Sequence, residues 1–237
     1  MNICLYTAIF NGYETLKVPV HIEGLDYVCF TDDKSIHSDV WDVRHVSIPE
    51  GVPAPVFGKS IKCLPHKILS EYDYTIWLDA NFQLRDQQYL SFLFDQFHSD
   101  KLLLYKHFCL AGDYRSCIYR EIEHSHQCAK YRQENLTKQS MEYRKQGYPK
   151  NNGLYQSGFL LRNNRDQEVF DFNESWLSEI EKFGHVFPQC QVSLPYTLWR
   201  QGMNFDVVSG KIWDTSRYYI TNHGDSNKFL PAYKDAV

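Results

Sequence analysis

Apolar runs that end abruptly at polar residues mark the first half of the chain. Ile3 to Ile9 is nearly continuous apolar sequence and predicts a buried strand. Phe10-Asn11-Gly12-Tyr13 follows as a turn, because Asn-Gly tolerates positive φ. Tyr27 to Thr31 repeats the pattern and ends at Asp32-Asp33, and Trp41 to Val46 predicts a third strand before the proline-rich loop Pro49 to Pro55. Lys59 to Glu71 has helical periodicity, with Ile61, Leu64, Ile68 and Leu69 on one side, and Pro65 either kinks it or starts a helix. Tyr74 to Leu78 is the predicted central strand, stopping at Asp79-Ala80-Asn81. Asp86 to Phe97 is a second amphipathic helix and Leu102 to Tyr105 a short strand.

From Arg115 to Gln146 the pattern becomes polar with sparse apolar positions, which predicts one long helix or two shorter ones lying over the sheet as a helical insertion, about 113–147. The turn cluster Tyr148 to Gly153 leads into a strand from Leu154 to Leu161. Val169 to Phe183 and Gln191 to Gln201 read as helices, the latter despite Pro195. Phe205 to Val208 reads as a last short strand, and Ser216 to Val237 as an irregular tail. Strands alternating with helices predict an α/β fold with a mostly parallel sheet, organised as a single domain over 1–237.

Composition narrows the function classes. A formal charge of -4 and 23% charged residues, with no long basic block, argue against a nucleic-acid partner. Seven cysteines without framework spacing read as reduced thiols. The absence of a basic n-region and of a long apolar segment leads us to expect a cytoplasmic protein with at most peripheral membrane contact, at the inner membrane face.

The candidate chemistry gathers where strands end. In open α/β sheets ligands bind at the carboxyl ends of strands, and Asp79 and Asn81, two residues apart, can both offer oxygen to one Mg²⁺ or Mn²⁺. The same three residues also suit an ordinary Asx turn. Cys109, Cys117, His124, His126 and Cys128 crowd together and raise a metal-binding module as a rival, although no tight C-x-x-C or H-x3-H pair occurs among them.

Several motifs in order resemble a known family. Tyr6 to Phe10 with Tyr13 and Pro19, Cys29-Phe30-Thr31-Asp32, Lys62 and His66, and Tyr72 to Asn81 form the first half. His107, Arg115, Cys117, Ile118, Tyr119 and Glu121 come next. Gln139, Tyr143, Gly147-Tyr148-Pro149, Asn152-Gly153-Leu154 and Arg162 complete the set, which spans roughly Tyr6 to Trp199. This order resembles a GT-A-type glycosyltransferase, and more narrowly the glycosyltransferase-like family long treated as a domain of unknown function and found in bacterial polysaccharide-synthesis and plant Golgi proteins.

The resemblance implies a Rossmann-like nucleotide-binding half and a nucleoside-diphosphate sugar donor, with UDP the expected nucleotide. It implies donor contacts from Thr7, Ala8, Phe10, Asn11, Tyr13, Asp32, Lys59, Lys62, His66, Asp79, Ala80, Asn81 and Arg115. A divalent cation, Mn²⁺ or Mg²⁺, would sit on Asp79 and Asn81 with His223 as a late ligand. Asn81 replaces the second acid of the family's metal motif, so the alternative is that Lys59, Lys62 or Arg115 neutralises the diphosphate. Gln189-Cys190-Gln191 stands where the family has Arg-Asp-Gln, which leaves the base open between Glu121, Asp225 and no base at all, with Cys190 in the acid's place and Gln191 supporting charge. Asn152, Gly153, Gln156 and Ser157 are the expected sugar or acceptor contacts. The function implied is hexose transfer to a growing polysaccharide or lipid-linked glycan. The alternative is a degenerate module that binds glycan or nucleotide without turnover.

Overall fold

The computed structural model describes residues 1–107 and 115–208, and as backbone the strand at 218–220. A mixed sheet of seven strands runs in the order β3-β2-β1-β4-β7-β6-β8. Its members are β1 (Ile3–Ile9), β2 (Leu25–Thr31), β3 (Asp42–His45), β4 (Tyr74–Leu78), β6 (Leu102–Lys106), β7 (Tyr155–Asn163) and β8 (Asp206–Val208). β1, β2, β3 and β4 pair in parallel, and β8 pairs in parallel with β6. β7 alone is reversed, lying antiparallel between β4 and β6.

The near-continuous apolar strands are buried on both faces, as parallel sheets require. Period-2 alternation divides them: Ile3, Leu5, Ile76, Phe159 and Leu161 face one core, and Cys4, Tyr6, Trp77 and Leu160 face the other. The first core is closed by α3 (Gln87–Asp95), whose Asp86 caps it by accepting from the Tyr89 N–H at 2.8 Å. The second is closed by α1 (Ala54–Cys63), α6 (Gln167–Phe183) and α7 (Cys190–Gln201), with Trp176 fully buried and donating to the Cys190 carbonyl at 3.2 Å.

Three expectations are corrected. The helix expected from Lys59 to Glu71 begins earlier, at Ala54 within the expected proline-rich loop, and ends at Ile68; Pro65 starts its second part, α2 (Pro65–Ile68), as one of the two readings of that proline had it, because Pro65 lacks the N–H that would continue α1 and occupies a first-turn position. The residues after Asp79-Ala80-Asn81 are not simply loop: β5 (Phe82–Leu84) pairs antiparallel with β9 (Tyr218–Ile220), inside the tail expected to be irregular. The insertion consists of α4 (Ile118–Ser125), a 3-10 turn at Ala129–Tyr131 and α5 (Leu136–Lys145). It does not lie over the sheet. Its apolar positions Ile118, Ile122, Leu136 and Tyr143 join Phe183, Val192 and Tyr196 of α6 and α7 in a third, smaller core, where the Tyr143 and Tyr196 rings stack at 3.7 Å. Among the described residues, no helix is long and apolar enough to cross a membrane.

Candidate active site

A cleft of about 480 Å³ opens at the carboxyl ends of β1 and β4 and the start of β7. The reversal of β7 produces this arrangement, because it brings Ser157 and Gly158 beside the end of β4. The Asp79 N–H donates to the Gly158 carbonyl at 2.9 Å, and the Phe82 N–H closes the turn onto the Asp79 carbonyl at 2.9 Å.

The floor is electrostatic. One carboxylate oxygen of Asp79 accepts from the Trp77 indole N–H at 2.7 Å and from the Lys62 ammonium at 3.3 Å. Lys62 is only 2% exposed in its side chain, whereas Asp79 is 43% exposed and lines the cleft. Burial opposes ionisation of Asp79, but Lys62, then Lys59, and the Trp77 hydrogen bond outweigh it and hold the carboxyl below its usual range. Burial likewise opposes a charge on Lys59, and the neighbouring Cys190 and Asp79 overcome it, so Lys59 titrates above the ordinary lysine value.

Cys190, the first residue of α7, is 3.3 Å from the Ser157 hydroxyl. Burial pushes its thiol up, but Lys59, Lys62 and Ser157 together bring it below the ordinary thiol value. Cys63, behind the cleft, shows what burial does when it prevails: its thiol is pushed up to about 12.

The floor is anchored from behind by Arg162. Its guanidinium is completely buried and donates to the Lys62 carbonyl at 2.8 Å, to Asn173 at 2.9 Å and to the Tyr6 hydroxyl. Tyr6 in turn donates to the same Lys62 carbonyl at 2.8 Å and sets its ring edge-on to Trp77 at 5.2 Å. Both groups that hold Asp79 are therefore fixed through one buried cation.

The opposite wall comes from the insertion and from the segment before α7. Arg115 donates to Glu121 at 2.7 Å with His107 adjacent, and Gln189 donates to the same carboxylate at 3.1 Å. At the rim the rings of Tyr13 and Tyr131 lie 5.8 Å and 6.1 Å from Phe187. The Lys130 ammonium sits 4.7 Å over Tyr131 and 5.3 Å over Phe187. Desolvation by these rings, followed by repulsion from Lys59, lowers the Lys130 pKa. The backbone before α7 is held by Glu134, whose carboxylate accepts from the N–H groups of His185, Val186 and Phe187 at 2.8, 2.9 and 2.6 Å.

A family model described as TOD1/MUCI70, glycosyltransferase-like domain, matches residues 40–207, most of the chain. The chain belongs to this family. No curated protein matches it. The TOD1/MUCI70 match agrees with the resemblance read from the motifs, and the seven-stranded, mostly parallel sheet with flanking helices is the α/β arrangement expected of a GT-A-like domain.

Within this TOD1/MUCI70 domain, the cleft unites Ala8, Phe10, Asn11, Tyr13, Lys59, Lys62, Asp79, Ala80, Asn81, Arg115, Glu121, Gln156, Ser157, Cys190 and Gln191. Five expected contacts are not in its lining. Thr7 is 2% exposed within β1. Asp32 faces the turn after β1, accepting from the Asn11 N–H at 2.9 Å. His66 stacks on Phe170 at 4.8 Å, and its ring nitrogen lies 3.4 Å from Glu174. Asn152 and Gly153 belong to the turn before β7. There Gly153 has φ +92° and donates to the Ser116 carbonyl at 3.0 Å, a conformation suited to glycine. His223 and Asp225 lie outside the described residues, as does Cys109.

Trp77, Lys130, Tyr131, Phe187, Gln189 and His124 also line the cleft and were not singled out as part of it from the sequence, although His124 was noted for its spacing. Only the aromatic content hinted at the rim.

Of the expected cation ligands, Asp79 already holds an ammonium and an indole N–H on one oxygen, Asn81 is neutral, and His223 lies outside the described residues; by themselves Asp79 and Asn81 fit a divalent cation poorly, and the described residues contain no group of three His, Cys, Asp or Glu side chains able to hold a metal ion. The zinc-module rival has no support among the same residues.

Proposed function

We propose that the cleft binds a nucleoside-diphosphate sugar, with UDP as its nucleotide, and transfers the hexose to a growing polysaccharide or lipid-linked glycan on the cytoplasmic side of a membrane. The observation that carries this reading is the joining, in one cleft, of a lysine-rich floor at the strand ends with an aromatic rim. A lysine-rich floor suits the charge that develops on a departing diphosphate, and aromatic faces suit a base or sugar ring. Gln156, Ser157 and Gln191 line the same cleft and would offer partners to sugar hydroxyls.

The cleft carboxylates are engaged: Glu121 with Arg115, Asp79 with Lys62, and Glu14 with Lys17 at 3.3 Å. This favours a reaction in which the leaving diphosphate takes the acceptor's proton, since among the described residues each of these carboxylates is already paired. The same observation supports a second reading, a module that binds nucleotide or glycan without turnover. Release of nucleoside diphosphate from a panel of UDP-, GDP- and CDP-sugars, with oligosaccharide acceptors and the product anomer read by NMR, separates the two. Turnover of one donor establishes the transferase and its stereochemistry. Tight nucleotide binding with no release from any donor establishes the binding module.

A further inference from the structure

We infer that lysine side chains, in place of a divalent cation, neutralise the ligand's diphosphate in this cleft. The inference rests on the donor site proposed above and concerns how that site meets its charge.

The charges in the cleft sort into pairs and remainders. Arg115 is matched by Glu121 at 2.7 Å, Lys17 by Glu14 at 3.3 Å and Lys62 by Asp79 at 3.3 Å. Neither Lys59 nor Lys130 is in an ion pair among the described residues, yet both line the cleft. Lys59, beside the Cys190 thiol, and Lys130 thus bring two ammonium groups to the cleft without a carboxylate ion pair, which matches the doubly charged diphosphate of a nucleotide sugar. A dication added to the same floor would double that excess and would share Asp79 with the Lys62 ammonium, at a site where the second oxygen donor in the motif is the neutral amide of Asn81.

The geometry favours the anion further. The N-termini of α1 and α7, helices of 10 and 12 residues, reach the cleft through Ala54, Pro55, Cys190 and Gln191. Their partial positive ends add to the lysines. Asp79 is then a positioning residue. It keeps the Lys62 ammonium at the floor, where that ammonium lies 5.1 Å over the Trp77 ring.

The test is calorimetric titration of UDP, GDP and CDP into the full chain after chelator treatment, then with Mn²⁺ or Mg²⁺ restored, and into the variants Lys59→Gln, Lys130→Gln and Asp79→Asn. Lys101→Gln, which removes a surface lysine paired with Glu168, serves as the control. The expected result is binding in chelator that changes less than about threefold when metal returns. Each cleft lysine variant weakens it about tenfold. Asp79→Asn tightens binding, because the amide oxygen still holds Lys62 while a negative charge is removed from the floor. The chelator measurement needs no variant, so a variant that fails to fold does not spare the inference.

Binding that requires Mn²⁺ and is lost in Asp79→Asn overturns the lysine assignment and leaves the donor site standing. Binding in chelator that ignores Lys59→Gln and Lys130→Gln overturns it as well. No binding of any of the three nucleotides, with or without metal, overturns the donor-site reading and the lysine assignment together.

Discussion

The wall that carries Lys62 and Asp79 grows out of the sheet core, whereas the wall that carries Arg115 and Lys130 stands on helices of 8 and 10 residues with a small core of their own. Behind the first, Arg162, Tyr6 and Trp77 are buried and tied to one another or to Lys62 and Asp79. Behind the second, a single carboxylate, Glu134, holds three consecutive backbone N–H groups. The difference teaches where each task belongs. Lys62 and Asp79 are fixed through buried partners of the sheet core, whereas Lys130 sits on a rim whose backbone rests on one carboxylate, so a charge that must not shift is best carried by the first wall.

The largest effect should come from the rigid wall. Arg162→Met leaves the buried Asn173 side chain and the Lys62 carbonyl short of donors, and should lower unfolding free energy by about 3 kcal/mol in urea denaturation. Arg162→Lys restores charge without the fork of donors and should recover only part of it. Nucleotide affinity should fall in both variants by more than the stability loss alone accounts for, since Lys62 loses its anchor. Equal affinity in a folded Arg162→Lys protein would separate the anchor from the site.

Glu134→Ala tests the other wall. Loss of one acceptor for three amides should cost about 2 kcal/mol, and hydrogen exchange at His185, Val186 and Phe187 should speed up while exchange in β1 and β4 stays slow. If the two walls open together, the contrast between them fails.

The smallest effect is a pH shift at Cys190. Its thiol is held below the ordinary value, so alkylation by iodoacetamide should rise with pH and level off at a midpoint below that of an ordinary thiol. Removing a neighbouring positive charge disfavours thiolate, so Lys59→Gln should move the midpoint up, and bound UDP should slow the reaction. A midpoint that does not move would place Lys59 out of contact with the thiol.

Much of the rigid wall was legible in the sequence. Apolar runs ending at polar residues located β1, β2 and β4 closely, and Asp79 was the residue at which the central run stopped. The break at Pro65 followed from the ring's missing N–H. The role of Arg162 was not legible, because a motif position says nothing about whether a guanidinium is buried or what it grips. The pairing of β5 with β9 was hidden for a different reason. Two three-residue strands far apart in the chain are too short to show a period. Thr7 and Asp32 were expected as donor contacts from the resemblance, and a motif position does not show which way a side chain faces: β1 turns Thr7 inward, and Asp32 accepts from the Asn11 N–H. The rim of Tyr131, Phe187 and Lys130 joins two segments that only the third core brings together.

One backbone hydrogen bond gives the second wall a further property. The His107 N–H donates to the Leu154 carbonyl at 2.8 Å, where β6 ends and β7 begins. The chain therefore leaves the sheet after His107 and returns to it beside the same point, so that the described residues 115–153 belong to an excursion closed at its neck. Such a segment can be lengthened, shortened or replaced by that of a relative without altering strand registration, provided the neck and the contacts to α6 and α7 are kept. Exchange of this cassette between relatives would have its natural splice sites at these two residues.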